Sequence, residues 1–247
     1  MKKFNNKIAV VTGGNSGIGY ATAKELIEQG AKVVITGRRK SAVDAAAQEL
    51  GAIPFIADQS VLDDIDTLVQ EVQKSYGKVD ILFINAGIVG ESTLIESASV
   101  ENFDNVMNIN FRGAYFTLSK FIPILNEGAS VVMLSSIVAS MHKPSSSIYQ
   151  ASKAALNSIS KTAANELAPR KIRVNMISPG PTQTEVMNKS GMDDATVKGI
   201  MDHLTNIIPL KKIGKPEDVA KLVSYLSDDA ASFITGSEFV IDGGMTL

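Results

Sequence analysis

Tyr149 and Lys153 lie four residues apart in Tyr149-Gln-Ala-Ser-Lys153-Ala-Ala-Leu, a segment with a helical pattern. This spacing places the phenol and the ammonium on one face of a helix. An ammonium about 4 Å away favours a phenolate by roughly 4 kcal/mol at an effective dielectric of about 20. We therefore expect the pKa of Tyr149 to be lowered. The pair indicates a general acid or base, although the same spacing alone is also typical of an ordinary amphipathic pair.

Ser136 is a second candidate group, and it stands at the carboxyl end of a predicted strand over 130–136. The run Val131-Val-Met-Leu134 is apolar throughout, as expected for a strand that is buried on both faces of a sheet. A polar loop separates this strand from the helix of Tyr149. The Ser136 hydroxyl is therefore expected to hydrogen-bond the same substrate oxygen as the tyrosine.

A glycine-rich turn follows the first predicted strand, which covers Lys7 to Thr12. Its glycines stand at positions 13, 17 and 19, and a helical pattern then runs to Gln29 with Gly30 as the expected C-cap. A strand, a glycine-rich turn and a helix bring backbone N–H groups and a helix N-terminus together. The segment favours a phosphate-binding loop, although it lacks the commoner G-x-G-x-x-G pattern and a simple tight turn is the alternative.

Predicted strands and helices alternate along the rest of the chain. The strands cover 32–36, 53–57, 79–84, 130–136, 172–178 and 237–241, and the helices cover 41–50, 61–76, 98–125, 149–168 and a short 193–206. Such alternation implies parallel strands joined by right-handed crossovers. We expect an α/β fold with a doubly wound parallel sheet of about seven strands and helices on both faces. The length of 247 residues favours one domain over 1–247.

Polar residues gather where the predicted strands end, which is the edge at which open parallel sheets bind their ligands. These residues are Asn15, Ser16, Arg38, Asp58, Asn85, Ser136 and Ser178. Each of them alone is compatible with an exposed loop. Their joint placement favours a single site.

Composition excludes several classes of function. A net charge of −2 gives no reason to expect nucleic acid or an anionic membrane as a partner. Without cysteine, and with two histidines, the chain offers little to a metal, and none is expected. Met1-Lys-Lys resembles the start of a signal peptide, but the apolar run after it stops at Thr12-Gly13 and is too short. A cytoplasmic location is expected.

Taken together, these segments resemble the short-chain dehydrogenases/reductases, and the resemblance covers essentially the whole chain. The motifs that carry it are Thr12-Gly-Gly-Asn-Ser-Gly-Ile-Gly19, Asn85-Ala-Gly87, Asn110, Ser136, Tyr149-x3-Lys153, Pro179-Gly180 and Ile241-Asp-Gly-Gly244. Within the family, the chain is similar to bacterial secondary-alcohol dehydrogenases, also called ketoreductases. The resemblance implies a Rossmann-type domain that reversibly reduces small-molecule ketones to secondary alcohols with NAD(P)H.

The resemblance also implies roles in the reaction for four residues. Tyr149 would protonate the carbonyl oxygen, and Ser136 would hold that oxygen. Lys153 would lower the tyrosine pKa and hydrogen-bond the nicotinamide ribose, and Asn110 would bend the long helix and hold a water that relays protons. Several of the other asparagines in this helix are expected to be merely solvated; they are Asn102, Asn105 and Asn108.

For the cofactor, the resemblance implies contacts spread over the strand ends. Asp58 would reach the adenine, although Gln59 follows it where most members have an apolar residue, and the backbone amide of Thr182 would hold the nicotinamide carboxamide. The implied set is Gly13, Asn15, Ser16, Gly17, Ile18, Gly19, Arg38, Arg39, Asp58, Asn85, Ala86, Gly87, Tyr149, Lys153, Pro179, Gly180, Thr182 and Thr184.

The choice between the two nicotinamide cofactors depends on the end of the second strand. An acidic side chain at position 37 would bind the ribose hydroxyls of NAD, but the residue is Gly37. Arg38 follows, and a guanidinium pairs well with a phosphate. NADP(H) is therefore favoured. NAD(H) is the alternative, since Ser16 stands where NADP-preferring relatives often have Lys or Arg, and since Arg38 and Arg39 also suit a solvated turn.

A segment at about 181–210 lies where the family has its substrate lid. Apolar residues in this segment and in two loops are expected to line an adaptable pocket; they are Val89, Val138, Met141, Met187, Met192 and Met201. His142 and His203 are expected to face solvent. We interpret the pocket as one for bulky, uncharged ketones.

Two other functions stay open. A 3-oxoacyl-(acyl-carrier-protein) reductase has the same fold and motifs but needs basic patches to dock its acidic carrier. The stretch Leu125-Asn-Glu-Gly-Ala lacks them, and Arg170-Lys171 alone is thin support. A cofactor-sensing binding protein on the same fold is disfavoured, because cofactor binding does not require all four of the implied reaction residues.

A homotetramer is expected as the assembly. The family commonly pairs the helix of Tyr149 and its long neighbour across a tetramer interface. Small residues that permit close helix approach recur on that helix; they are Ala151, Ala154, Ala155, Ser158, Thr162 and Ala163. The alternative is that they pack against the chain's own sheet.

Overall fold

The computed structural model describes residues 2–183 and 193–247. Within these residues, seven strands form one parallel sheet in the order β3-β2-β1-β4-β5-β6-β7. The strands are β1 (Ile8–Val11), β2 (Lys32–Gly37), β3 (Ile53–Ile56), β4 (Val79–Ile84), β5 (Leu125–Leu134), β6 (Arg173–Pro179) and β7 (Glu238–Ile241). The order reverses between β1 and β4, which creates a crevice at the carboxyl ends of these strands.

Helices cover both faces of the sheet, and the predicted fold class is confirmed. They are α1 (Gly17–Glu28), α2 (Lys40–Leu50), α3 (Leu62–Tyr76), α4 (Val100–Met107), α5 (Ala114–Phe121), α6 (Ser147–Leu167), α7 (Asp194–Ile207) and α8 (Pro216–Ser227). No helix in the described ranges is long and apolar enough to cross a membrane.

The core consists of two layers, one on each face of the sheet. Along β4, Leu82 and Ile84 face the layer of α3, α5 and α6, whereas Ile81 and Phe83 face the layer of α1, α2 and α8. All four side chains are at most 2% exposed. Burying each of them stabilises the fold by about 1.5–3 kcal/mol. Because both faces of the sheet are covered, all four consecutive positions from Ile81 to Ile84 are apolar.

The helix predicted over 98–125 is present from Val100 to Phe121, but it is shorter at both ends and is not α-helical throughout. A π-helical turn at Asn108–Gly113 separates α4 from α5, and β5 already begins at Leu125. The close approach of a neighbouring loop accompanies the turn: a Cβ on Gly113 would lie 2.1 Å from the carbonyl oxygen of Gln59. Single-turn π segments of this kind are frequent at functional sites.

The helix α8 is absent from the sequence prediction, although its signals are local. Pro216 occupies the first turn, and the Asp218 carboxylate accepts a hydrogen bond from the backbone N–H of Lys215 at 2.8 Å. Val219, Val223 and Leu226 then recur at helical spacing and are buried against α1. A second boundary also differs, since the C-cap of α1 is Gln29 and Gly30 follows it with φ of 102°.

Candidate active site

The glycine-rich turn after β1 leads directly into the N-terminus of α1. Gly13 and Gly17 have φ angles of 64° and 53°, which favour glycine. Ser16 is the N-cap of α1, but its side chain makes no capping hydrogen bond. The N–H groups at the start of α1 therefore have no side-chain acceptor from the cap, and such groups bind phosphate well.

Asn85 holds this turn in place from the neighbouring strand β4. Its side-chain Nδ2 donates hydrogen bonds to the carbonyl oxygens of Thr12 at 2.8 Å and Gly13 at 3.2 Å. The hydroxyl oxygen of Thr12 accepts from the backbone N–H groups of Asn85 at 2.9 Å and Ala86 at 3.1 Å. A Cβ on Gly13 would lie 2.9 Å from Asn85 Nδ2, so this close approach requires glycine.

A groove of about 540 Å³ runs along the carboxyl ends of the central strands. Many of the residues that the sequence predicted for cofactor binding line it; they are Gly13, Asn15, Ser16, Gly17, Ile18, Arg38, Arg39, Asp58, Asn85, Ala86, Gly87, Tyr149 and Lys153. Its shape and donors fit a dinucleotide, because the uncapped helix N-terminus, the guanidinium of Arg38 and the ammonium of Lys153 all border one continuous space.

One end of the groove is formed by Arg38 at the end of β2. Its guanidinium is 58% exposed and lies 3.9 Å from the Asp58 carboxylate, which in turn accepts hydrogen bonds from the N–H and hydroxyl of Ser60. Gly37 lies directly against Asn15, since a Cβ at position 37 would be 2.5 Å from Asn15 Oδ1. Any side chain at position 37 would have to displace the side chains of Asn15 and Val43.

Tyr149, Ser136 and Lys153 meet at the other end of the groove. Ser136 follows β5 as the N-cap of a short 3-10 turn, and its hydroxyl hydrogen-bonds the phenol of Tyr149. Lys153 is 3% exposed, and its Nζ lies 5.8 Å from the centre of the Tyr149 ring. The same Nζ donates a hydrogen bond of 2.8 Å to the carbonyl oxygen of Leu134.

The expected lowering of the Tyr149 pKa is wrong. Burial raises the pKa of Tyr149, and the hydrogen bond with Ser136 lowers it by less. Burial also lowers the pKa of Lys153 to about 8. Desolvation is the largest cause of both shifts, and the Lys153 ammonium donates its hydrogen bond to the Leu134 carbonyl oxygen.

Asn110 lies in the π-helical turn and is fully buried. Its Oδ1 accepts from the N–H of Ile88 at 2.8 Å, and its Nδ2 donates to the carbonyl oxygen of Ile88 at 2.8 Å and to the Ser152 hydroxyl at 3.1 Å. Asn110 thus connects the loop after β4 with α6, the helix of Tyr149. The structure also brings it close to Gly87, where a Cβ would lie 3.1 Å from its Oδ1.

A second cavity, of about 220 Å³, adjoins the groove. Tyr149 and Val89 line both spaces. Val138 lines the cavity as predicted, together with residues that the sequence reading did not single out; they are Glu91, Ser92, Thr93, Lys143, Pro144, Ser145, Ser146, Ser147 and Ile148. The two loops that form its walls touch, since the Ser92 hydroxyl donates to the Ser145 carbonyl oxygen at 3.1 Å.

Several predicted residues lie elsewhere. Pro179 ends β6, Gly180 and Thr182 follow it, and none of the three lines either space; the Thr182 hydroxyl donates to the Gly180 carbonyl oxygen at 3.0 Å. Gly19 packs inside the turn, where a Cβ would meet the Gly13 carbonyl oxygen at 2.2 Å. Met141 and Met201 also lie outside both linings. Thr184, Met187 and Met192 lie outside the described residues.

Gln59 is a lining residue whose contacts the sequence reading did not foresee. It is 8% exposed, and its Nε2 donates to the carbonyl oxygens of Ala86 and Ile109, both at 3.1 Å. It therefore joins the loop after β3 to the loop after β4 and to the residue before Asn110. The remaining lining residues that were missed are Thr36, Ala57, Ile88, Ile109 and Leu134; they are small or apolar and carry no chemical signal in the sequence.

The fold and this groove define a dinucleotide-binding α/β oxidoreductase. The chain belongs to the short-chain dehydrogenase/reductase family, and residues 13–246 match a family model described as enoyl-(acyl carrier protein) reductase. It is therefore an NAD(P)-dependent oxidoreductase of the class that acts on CH–OH and carbonyl groups.

Three similar proteins illustrate the range of the family. The chain is 33% identical to a 3-oxoacyl-(acyl-carrier-protein) reductase of Thermotoga maritima, over 99% of this chain and 100% of that protein. It is 34% identical to a 3alpha-hydroxysteroid dehydrogenase of Mediterraneibacter gnavus, over 97% of each chain. A crystal structure of a short-chain dehydrogenase/reductase from Brucella melitensis superposes with a TM-score of 0.89 at 31% identity, over 100% of each chain.

Proposed function

We propose that this protein reduces bulky, uncharged ketones to secondary alcohols, and catalyses the reverse oxidation, with NADP(H) preferred over NAD(H). The observation that carries the proposal is the position of Tyr149. It lines both the dinucleotide groove and the adjoining cavity, and its phenol hydrogen-bonds the Ser136 hydroxyl. A carbonyl oxygen held by these two hydroxyls would lie next to both the cofactor groove and the substrate cavity.

In this reaction, Tyr149 donates its phenolic proton to the carbonyl oxygen, and Ser136 donates a hydrogen bond to the same oxygen. The reduced nicotinamide, when bound, supplies the hydride for the carbonyl carbon. With its raised pKa, Tyr149 is protonated at neutral pH, which is the form that donates the proton in the reductive direction. Lys153 lines the groove. Asn110 connects the Ile88 backbone to Ser152 on α6 through its side-chain hydrogen bonds.

The preference for NADP(H) rests on the end of β2. The exposed Arg38 side chain borders the groove and makes one long ion pair of 3.9 Å with Asp58, which leaves further N–H donors of the guanidinium for charge-assisted hydrogen bonds with a 2′-phosphate. Asn15 occupies the space that an acidic residue at position 37 would need for the ribose hydroxyls of NAD. Both features favour NADP(H) over NAD(H).

The substrate class rests on the cavity beside Tyr149. Val89, Val138 and Ile148 give it apolar walls, while its charged lining residues Glu91 and Lys143 are exposed to solvent. The cavity of about 220 Å³ offers room for a large substituent on the carbonyl carbon. The name of the Mediterraneibacter gnavus relative, a 3alpha-hydroxysteroid dehydrogenase, supports a bulky ketone as the substrate class.

A 3-oxoacyl-(acyl-carrier-protein) reductase is the second candidate, because relatives of similar identity carry that name. The Arg170-Lys171 pair that the sequence offered as thin support for carrier docking is engaged within the chain. The Arg170 guanidinium donates to the carbonyl oxygens of Ile122 at 2.8 Å and Leu125 at 2.5 Å, and Lys171 pairs with Glu127 at 2.8 Å. These contacts favour the free ketone. A non-catalytic cofactor sensor is the third candidate and is disfavoured by the Ser136–Tyr149 contact.

The assembly that we propose is a homotetramer in the cytoplasm. Four of the small residues on α6 are exposed and form one stripe; they are Ala151, Ala154, Ser158 and Thr162. Val100, Phe103 and Tyr115 of α4 and α5 are also exposed large side chains. Ala163 packs into the chain's own core instead, so the interface prediction is wrong for this residue. The lid at about 181–210 stays a prediction, since it includes residues outside the described ranges.

The test is reduced-nicotinamide consumption by the purified protein, with NADPH and NADH in parallel. The substrates are acetone, a panel of aryl ketones, a 3-oxosteroid and an acetoacetyl thioester. We expect turnover of the aryl ketones or the 3-oxosteroid, with NADPH preferred. Turnover of the thioester alone would establish the second candidate function, and tight cofactor binding without turnover of any substrate would establish the sensor.

A further inference from the structure

Two asparagines of one helical segment bind the loop after β4 through the same pair of hydrogen bonds, each to the N–H and the carbonyl oxygen of one loop residue. Asn110 pairs with both backbone groups of Ile88, as described above. Eight residues earlier, Asn102 does the same to Glu91: its Oδ1 accepts from the Glu91 N–H at 2.9 Å, and its Nδ2 donates to the Glu91 carbonyl oxygen at 3.3 Å. The expectation that this helix carries merely solvated asparagines is wrong for Asn102, which is 6% exposed.

Between Ile88 and Glu91, the loop packs closely against α4. Gly90 has a φ of 75°, and a Cβ there would lie 2.4 Å from Val106 Cγ2 and 2.7 Å from Asn102 Oδ1. No other residue type fits so close to the helix without displacing it. The clamp at Asn102 and the contact at Gly90 therefore form one unit, which fixes the loop three residues beyond the Asn110 clamp.

The part of the loop that Asn102 fixes is a wall of the substrate cavity. Glu91, Ser92 and Thr93 line that cavity, and Val89 lines both the cavity and the groove. Ser92 then extends the wall to the opposite loop through its hydrogen bond with Ser145. The catalytic groups do not depend on this contact, because Asn110 separately holds Ile88 and α6.

We infer that Asn102 is a positioning residue that sets the shape of the substrate cavity, and thereby the discrimination between bulky and small ketones. This inference rests on the proposed function for its kinetic consequence. Loss of the side-chain amide leaves the N–H and carbonyl groups of Glu91 without their partners. The loop from Gly90 to Thr93 then becomes free to move, while the geometry around Tyr149 stays in place.

The kinetic test compares Asn102→Ala, Asn102→Asp and Asn105→Ala with the wild type. Asn105 is the matched control, since it lies on α4 with an exposed side chain. For Asn102→Ala we expect KM for a bulky aryl ketone to rise about tenfold, with KM for acetone and Kd for NADPH changed less than twofold. Asn102→Asp keeps the acceptor for the Glu91 N–H and should recover part of the loss. An equal loss for both ketones, or no loss, would overturn the inference.

A second measurement separates this inference from the proposed function. Amide hydrogen exchange, followed residue by residue without substrate, should show faster exchange at Glu91 in Asn102→Ala and unchanged exchange at Ile88, because only the first N–H loses its acceptor. If the wild type reduced no ketone, the proposed function would fail, and the exchange at Glu91 would still decide whether Asn102 holds the loop. Unchanged exchange at Glu91 would overturn the inference in either case.

Discussion

The ammonium nitrogen of Lys153 donates its hydrogen bond to the backbone carbonyl of Leu134, at 2.8 Å, and stands 5.8 Å from the centre of the Tyr149 ring. The lysine is thereby anchored to the end of β5, the strand that also leads to Ser136. Burial lowers the pKa of Lys153 to about 8 and raises that of Tyr149. The lysine is therefore the first of the two groups to lose its proton as the pH rises.

This order of titration predicts the pH dependence of cofactor use. The value of kcat/KM for NADPH reports the ionisations of the free enzyme. We expect it to fall as the pH rises through about 8, because Lys153 loses the charge that attracts the anionic cofactor while Tyr149 stays protonated. Initial rates between pH 6 and 10 measure the profile. In Lys153→Arg, which keeps its charge over this range, the fall near pH 8 should disappear. A wild-type profile that is flat to pH 10 would contradict the assignment.

Removal of the phenolic hydroxyl should separate chemistry from binding. Tyr149→Phe is expected to reduce kcat for ketone reduction by about 10²- to 10⁴-fold, the usual contribution of general acid–base catalysis. Its Kd for NADPH, measured by fluorescence titration, should change less than threefold. Tyr225→Phe is the matched control, because Tyr225 is 43% exposed on α8. A kcat for Tyr149→Phe within tenfold of the wild type would rule out the proposed proton transfer.

Cofactor preference should depend on one guanidinium. We expect Arg38→Ala to lower kcat/KM for NADPH by at least tenfold and to leave kcat/KM for NADH nearly unchanged, since only NADPH carries the 2′-phosphate. Lys40→Ala is the control: Lys40 lies two residues further on and is paired with Asp44 at 2.6 Å. Equal losses of kcat/KM with both cofactors in Arg38→Ala would mean that the guanidinium does not bind the 2′-phosphate.

The π-helical turn should be sensitive to a single methyl group. Gly113→Ala places a Cβ 2.1 Å from the Gln59 carbonyl oxygen, and we expect the free energy of unfolding to fall by about 1–3 kcal/mol. The control Gly199→Ala adds the same group to α7, where no atom lies within 4 Å, and should be neutral or stabilising by up to about 1 kcal/mol. Urea unfolding at one protein concentration measures both. Equal midpoints for the two variants would show that the contact at Gln59 relaxes without cost.

The fold was predictable from the sequence because its signals are local. The last four residues of β4, Ile81 to Ile84, form a continuous apolar run, and the glycine-rich turn and the Tyr149–Lys153 spacing each lie within a short stretch of sequence. Helix α8 was also readable in principle, from Pro216 and the buried residues at helical spacing after it.

The site was less predictable wherever it depends on contacts between distant segments. Asn102 and Asn105 are the same residue type on one helix, and only the fold distinguishes the buried one from the exposed one. The direction of the Tyr149 pKa shift depends on burial and on the hydrogen bond with Ser136, neither of which the four-residue spacing reveals. The hydrogen bonds of Gln59 to Ala86 and Ile109 also join segments that are far apart in the sequence, so the sequence does not reveal them.

The close packing of Gly37 against Asn15 restricts the mutational routes by which this enzyme could change its cofactor. An acidic residue at position 37 alone would collide with the Asn15 carboxamide before it could reach a ribose. A smaller residue at position 15 alone would open a space without adding any contact. An acidic residue at position 37 is therefore accommodated only together with a rearranged or replaced Asn15 side chain, so the two positions are expected to change as a pair.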